Sequence, residues 1–395
     1  MKQTIWKLEN PIKHFDWGSM DQITKILGIS NPSQKPMAEI WMGAHPIGCS
    51  TAIEIDNHKV KLDKLINDNP QAILGEDTYK KFAGLPYLFK ILSANKALSI
   101  QVHPTKTAAK CGFEKENQLG IALNDPKRNY KDPNHKPELI YALTPFKAMR
   151  SFRPIDEILM LFAKINVSIL ENEIVKLKNN RTPQQLKLFF TALLNLSEKE
   201  KLQLINQLLN SINDIEIEPF STIKMLAQEY PNDIGIFMPL ILNVIELQPG
   251  QAMFLDAQTP HAYIKGTGLE VMANSDNVLR AGLTHKHIDI QQLVNNTSFD
   301  SLSLNNLLIK PIIKANRTSF PVPVDDFNFE IIYSNDQQQE QKVTSAQIVL
   351  CLEGKICLTT EFESVVLSKG ESAFIAYQAK AYCYTGEGIL ATVSN

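Results

Sequence analysis

The chain reads as a mainly β protein with a helical insertion: two β-barrels of the jelly-roll type plus an α-helical domain. Three observations predict this. Short apolar runs broken by turn residues fill the chain to about residue 105 and resume at Phe237. The stretch from 121 to 234 contains no glycine, and from about 150 to 232 it carries apolar residues at helical spacing. The last hundred or so residues return to short strands separated by Gly-containing turns. The chain then divides into a first β segment (1–149), a helical domain (150–235), the rest of the first β-domain (236–310) and a C-terminal β-domain (311–395).

In chain order, Asp21 to Leu27 reads as a short helix stopped by Gly28, a residue suited to a left-handed C-cap. Leu85 to Ile91 and Ala97 to His103 read as buried strands. Gln184 to Leu194 and Glu198 to Leu209 are amphipathic helices whose leucines form a core face. Val244 to Leu255 reads as strand, Pro249-Gly250 turn and strand, a hairpin that runs directly into Pro260-His261. A turn, a hairpin and an inward histidine resemble the second half of a cupin motif. Ile348 to Lys355 and Leu367 to Ile375 repeat the rhythm. No histidine follows His287, so the C-terminal domain is expected to bind no metal and to pack against the first.

At 395 residues the chain can hold two or three domains, and a hydrophobic fraction of 44% is that of an ordinary globular protein. A net charge of −2 offers no electrostatic case for nucleic acid or an anionic membrane. No apolar run reaches the roughly 18–20 residues of a transmembrane helix, and the N-terminus has no signal-peptide core. Five scattered cysteines without CxxC spacing argue against a disulfide framework and for a reduced, cytoplasmic protein.

Four potential metal ligands come from three separate stretches. In Leu98-Ser99-Ile100-Gln101-Val102-His103-Pro104, polar and apolar residues alternate, so on a strand Ser99, Gln101 and His103 share a face. Glu138 closes Asn134-His135-Lys136-Pro137-Glu138, and His261 follows Pro260. Two imidazoles and a carboxylate suit Zn²⁺ or a similar divalent ion, with an amide oxygen as a weak fourth ligand. Such a site stays net positive and favours an anionic substrate. Lys90 lies in an otherwise apolar strand, where a lysine is rarely buried unpaired, so a pocket role is expected for it.

Gln101-Val102-His103-Pro104, Asn134 to Glu138 and Asn274 to Thr284 resemble the signatures of type I mannose-6-phosphate isomerases, and Ala38 to Pro46 is similar to that family's N-terminal block. The matches run in order over roughly residues 15 to 288. The resemblance implies a cupin-superfamily enzyme with one Zn²⁺ per chain, interconverting D-mannose 6-phosphate and D-fructose 6-phosphate through an enediol or enediolate. It implies Gln101, His103, Glu138 and His261 as metal ligands and Arg280 as catalytic arginine, with Asp276 in the pocket. Asp276, Glu270, His135 and Lys136 all qualify as the base by residue type. Ser99, Lys90 and Lys286 are the phosphate-side candidates. His285 stands where the family usually has proline, a departure from the family pattern next to Lys286. Trp17 and Trp41 are expected to pack the barrel, and His45 to orient a loop. The partner expected is a small sugar phosphate, bound by a monomer. Two other classes compete: an Fe²⁺ oxygenase, since two histidines and a carboxylate also suit non-haem iron, and a non-catalytic sugar-binding cupin.

Overall fold

The computed structural model describes residues 3–395. Two large antiparallel sheets and a group of helices make up the chain. The main path of the ten-stranded first sheet runs Leu242–Leu247, Phe146–Phe152, His261–Ala273, Tyr87–Ala94, Glu39–Met42 and Ile12–Lys13. Strand His261–Ala273 is its hub. The first half pairs with Phe146–Phe152 and meets Gln101 at His261; the second half pairs with Glu138–Ala142 and Tyr87–Ala94. The change of partner occurs at Gly266 and Gly268, where a Cβ would lie 2.7 Å from the carbonyls of Pro145 and Tyr141 respectively.

The two strands around Pro249-Gly250 do not pair with each other, contrary to the hairpin expected from sequence. Leu242–Leu247 pairs with Phe146–Phe152, whereas Ala252–Leu255 pairs with Glu138–Ala142. The turn, with Gly250 at φ 92°, hands the chain to a new neighbour. The strand expected over Ala97 to His103 is only Ile100–Val102. The residues before it bond elsewhere: Ala97 N–H donates to Glu229, Ala97 C=O accepts from Tyr230 Oη, and Leu98 N–H donates to Tyr263 C=O.

The helices follow from local signals. Gln22–Leu27 ends at Gly28 in the left-handed region, φ 72°. Pro183–Leu194 is capped by the Thr182 hydroxyl, and Glu198–Ser211 by a capping box between Ser197 and Glu200. Their apolar faces, including Leu186, Phe189, Phe190, Leu204 and Leu208, share one core with Ile100, Val102, Leu279 and Ala281. The helical insertion therefore backs the strands that carry Gln101 and Arg280.

The second sheet has twelve strands, with Gln347–Thr359 paired to Ser372–Ile375 and Gly388–Ser394. The chain's first strand, Ile5–Glu9, belongs to this sheet and pairs with Ser372–Ile375. One core joins the two sheets, with Phe89, Leu139 and Tyr141 packed among Phe329, Ile348 and Phe374. Tyr87 Oη donates to the carbonyls of Ala346 and Val393, each 3.0 Å away. The C-terminal domain thus packs on the first, and the expected fold class, mainly β with a helical insertion, is the one observed. Among the described residues no helix is long and apolar enough to cross a membrane.

Candidate active site

Register places the site. Gln101 is paired with His261 on one side and Arg280 on the other, so three neighbouring strands present these side chains in a row. A second row crosses the sheet from Trp41 through Lys90 to Glu270. His103 follows strand Ile100–Val102 directly, and Glu138 opens strand Glu138–Ala142.

His103, Glu138 and His261 are buried, and their ligating atoms lie within 4.8 Å of one another. Glu138 stands between the rings, with Oε1 3.2 Å from His103 Nε2 and Oε2 3.3 Å from His261 Nε2. Each ring is oriented from behind: His103 Nδ1 donates to Asn277 C=O at 2.7 Å, and His261 Nδ1 to Thr259 C=O at 2.9 Å. That tautomer leaves both Nε2 lone pairs free for a cation. His103 Nε2 is buried without a hydrogen-bond partner among the described residues, the mark of an atom shaped for a ligand that is not a protein group. Burial and the nearby Lys136 push the His103 imidazole down to about 4. Burial opposes the charge on Glu138, but Lys136 and His103 outweigh it and hold its carboxyl well below the usual range. Two imidazoles with free Nε2 atoms and an ionised carboxylate are the donor set of a divalent cation.

The ligands sit beside a small cavity of about 60 Å³ lined by Glu39, Lys90, Gln101, Lys136, Glu138, Tyr263 and Glu270, among others. Lys90 Nζ is 2.8 Å from Glu270 and 3.6 Å from Glu39, and Trp41 Nε1 donates to Glu39 at 2.7 Å. Burial opposes its charge, but Glu270 and Glu39 raise the Lys90 pKa. Burial raises the carboxyl of Glu270, with Glu138 and Glu39 adding to the shift against the pull of Lys90. Lys136 Nζ lies 3.0 Å from Glu138 Oε1. Three carboxylates facing two ammonium groups leave a negative balance that a dication would reverse.

Above this cavity opens a cleft of about 530 Å³, sharing Glu39, Lys90, Gln101 and Lys136 with it. Ser99, Asp276, Arg280, Thr284, His285 and Lys286 line its walls, with Trp17 and Trp41. Arg280 is half-buried, makes no ion pair among the described residues, and is lowered by burial from the usual guanidinium range. Burial, Arg280 and Lys131 together lower Lys286. Asp276 lies 3.5 Å from His45 Nε2 on the cleft wall. Burial depresses the His45 imidazole, with Asp276 opposing.

The structure thus gathers Gln101, His103, Glu138, His261, Ser99, Lys90, Lys136, Glu270, Asp276, Arg280 and Lys286 about one cavity and cleft. His135 is not among them. Its Nε2 faces Asp326 of the C-terminal domain at 3.0 and 3.1 Å, and Pro137 separates it from Glu138. Lys90 lies on the floor, where the cavity and the cleft meet, with its charge matched by two carboxylates. Glu39 and Tyr263, not singled out from sequence, stand on the same floor. Alternation in Glu39-Ile40-Trp41 could have marked the first, and the two-residue step from His261 the second.

Family profiles describing the catalytic domain, helical insertion domain and cupin domain of phosphomannose isomerases match residues 5–155, 164–242 and 316–395. Mannose-6-phosphate isomerase of Escherichia coli is 44% identical over 98% of this chain and 99% of its own length. The Bos taurus mannose-6-phosphate isomerase is 34% identical over 94% and 93%. A zinc-bound mannose 6-phosphate isomerase crystal structure superposes over 100% of both chains with a TM-score of 0.95 at 44% identity. A phosphomannose isomerase variant from Salmonella typhimurium does so at 0.96. With these similarities spread along the whole chain and a His–Glu–His cluster at the foot of its cleft, the chain belongs to the type I phosphomannose isomerase family.

Proposed function

We propose that this chain is a zinc-dependent aldose–ketose isomerase interconverting D-mannose 6-phosphate and D-fructose 6-phosphate. The observation that carries the reading is the position of a buried His103–Glu138–His261 cluster below a cleft whose outer wall holds Ser99, Arg280 and Lys286. The reacting carbons belong at the cluster and the phosphate at the mouth. His103, Glu138 and His261 would hold Zn²⁺, with Gln101 as the fourth ligand; its Nε2 donates to Ser99 Oγ at 3.4 Å, which turns the amide oxygen away from that bond. When bound, the ion supplies a fixed positive charge beside the substrate oxygens that become negative in the reaction.

The chain's own residues account for the remaining steps. From the aldose side, a base removes the proton on C2. The hydroxyl on O2 loses its proton, O1 gains one, and the base returns its proton to C1 through an enediol or enediolate. Arg280, permanently charged, stabilises the negative oxygen. Asp276 and Lys136 line the cleft and are the proton carriers in this reading. Glu270 is held by Lys90, so that pair fixes the floor and orients the sugar. Ser99 and Lys286 anchor the phosphate, whose binding energy positions the sugar. The ligands and cleft walls are complete within one chain, so a monomer suffices for the reaction in this reading. An Fe²⁺ oxygenase would give the cations of the mouth nothing to bind.

The test is conversion of mannose 6-phosphate to fructose 6-phosphate before chelation, after it, and after Zn²⁺ is restored. Loss and recovery of turnover are expected. A folded, zinc-loaded protein without turnover would remove the isomerase reading. Exchange of the C2 hydrogen with solvent deuterium then identifies the base: the variant among Asp276→Asn and Lys136→Met that keeps zinc but loses exchange has lost it.

A further inference from the structure

Asn277 touches neither the cleft nor a ligand's reactive atom, yet it is completely buried at the junction of both. Its main-chain carbonyl accepts the proton of His103 Nδ1 at 2.7 Å. Its side-chain nitrogen donates to Asp132 C=O and Asn134 C=O, each 2.8 Å away, and to Asp132 Oδ1 at 3.2 Å. Its side-chain oxygen accepts from the backbone N–H of Lys131 at 2.6 Å and of Asp132 at 3.3 Å. Asp132 in turn accepts from Ser275 Oγ and from Asp276 N–H. One amide therefore binds the turn at 131–134 to the segment 275–277, and the same residue sets the ring of His103.

The geometry points to Asn277 as a positioning residue of the metal centre, coupling the orientation of His103 to the placement of the segment that delivers Lys136 and Glu138. The inference rests on the reading that His103, Glu138 and His261 hold zinc. Two consequences follow from the bonds. A carbonyl behind Nδ1 keeps the His103 proton there and the Nε2 lone pair free for a cation. The turn held by the amide leads within a few residues, stiffened by Pro137, to Glu138. Neither an aspartate nor a serine can replace the amide. Aspartate would set a carboxylate against Asp132 Oδ1 and two carbonyls, and serine is too short to span both sides of the turn.

The experiment measures zinc affinity by competition with a chromogenic chelator, together with the melting temperature of the metal-free protein, for wild type, Asn277→Asp, Asn277→Ser and Leu390→Ala. Leu390 is buried in the C-terminal core, remote from the cluster, and reports what loss of stability alone does. Wild type is expected to bind one zinc. Both Asn277 variants are expected to bind it roughly 10–100-fold more weakly, as when other partners behind metal ligands are removed. Leu390→Ala should melt lower with its zinc affinity unchanged. Zinc affinity unchanged in folded Asn277 variants, or lowered equally in Leu390→Ala, overturns the proposal. Should neither Asn277 variant fold, Asp132→Asn removes the charged acceptor from the same junction and is held to the same outcomes. Wild type that binds no zinc overturns the metal reading itself, which separates the two failures.

Discussion

At the scale of single residues, charge balance decides which substitutions unfold the protein and which disarm it. Lys90 is enclosed between Glu270 and Glu39. Removing one partner of a buried pair leaves an uncompensated charge, which costs on the order of 3–5 kcal/mol. Lys90→Ala should therefore lower the melting temperature sharply; a variant that melts like wild type and merely binds phosphate less well would return Lys90 to the anchor role read from sequence. Among the described residues Arg280 has no ion-pair partner to strand. Arg280→Ala should keep its zinc and its stability while kcat falls by roughly 10²-fold or more, the size of one lost transition-state charge. Metal content and kcat measured on the same sample decide it, and an unchanged kcat would take Arg280 out of the mechanism. His103 gives a pH dependence. Its folded-state pKa, about 4, lies below the ordinary value of 6.5, so the unfolded chain takes up the proton first. The contribution to stability of the metal-free protein is complete above 6.5 and is lost as pH falls toward about 4. His103→Gln should flatten the melting temperature across that window; an identical slope in both proteins would count against a neutral, buried His103. The sequence made the ligand types legible because strand alternation is a local rule. It left the Lys90–Glu270 pair hidden, since its members lie 180 positions apart and only register shows that they face each other.

At the scale of elements, what was legible is what is encoded locally. The Ser197-to-Glu200 box and the Gly28 cap each lie within a few residues of the helix they bound, and both helix ends fall where sequence places them. The Ser197 hydroxyl accepts from Glu200 N–H at an exposed end far from the cleft. Ser197→Ala should cost about 1 kcal/mol, within the usual range for caps, with zinc content and turnover unchanged. A fall in kcat larger than the fall in folded fraction would show that the helical insertion reaches the site through this helix. The misread elements were those decided by distant partners. The strands flanking Pro249-Gly250 look like a hairpin because a tight turn joins two apolar runs, but their neighbours come from two other strands far upstream, Phe146–Phe152 and Glu138–Ala142. His135 qualifies as a base by residue type, but the structure turns it away from the cavity. Its partner, Asp326, lies 191 positions away in another domain, and nothing local announces it.

At the scale of the whole molecule, the catalytic sheet does not complete itself. Phe89, Leu139 and Tyr141, all on strands that carry or adjoin Lys90 and Glu138, pack against Phe329, Ile348 and Phe374 of the second sheet. Strand Ile5–Glu9 reaches across to pair with Ser372–Ile375, and Tyr87 Oη closes on two carbonyls of the C-terminal domain. Removing that domain would expose aromatic surface that burial stabilises by roughly 25 cal/mol per Å², and would orphan the first strand. The histidine-free C-terminal domain then serves the site by holding the sheet beneath it. Residues 1–310 expressed alone should be insoluble or lack fixed tertiary structure, with no stoichiometric zinc. Near-ultraviolet circular dichroism and metal content of any soluble fraction are the measurements. A fragment that gave native-like signals and bound one zinc would mean that the shared core is dispensable, and that the ligand geometry is set within the first sheet alone. The Asp326→Ala variant refines the outcome. It removes the carboxylate that faces His135, so a loss of zinc there without a loss of melting temperature would trace the dependence to the turn that carries Glu138 rather than to the shared core.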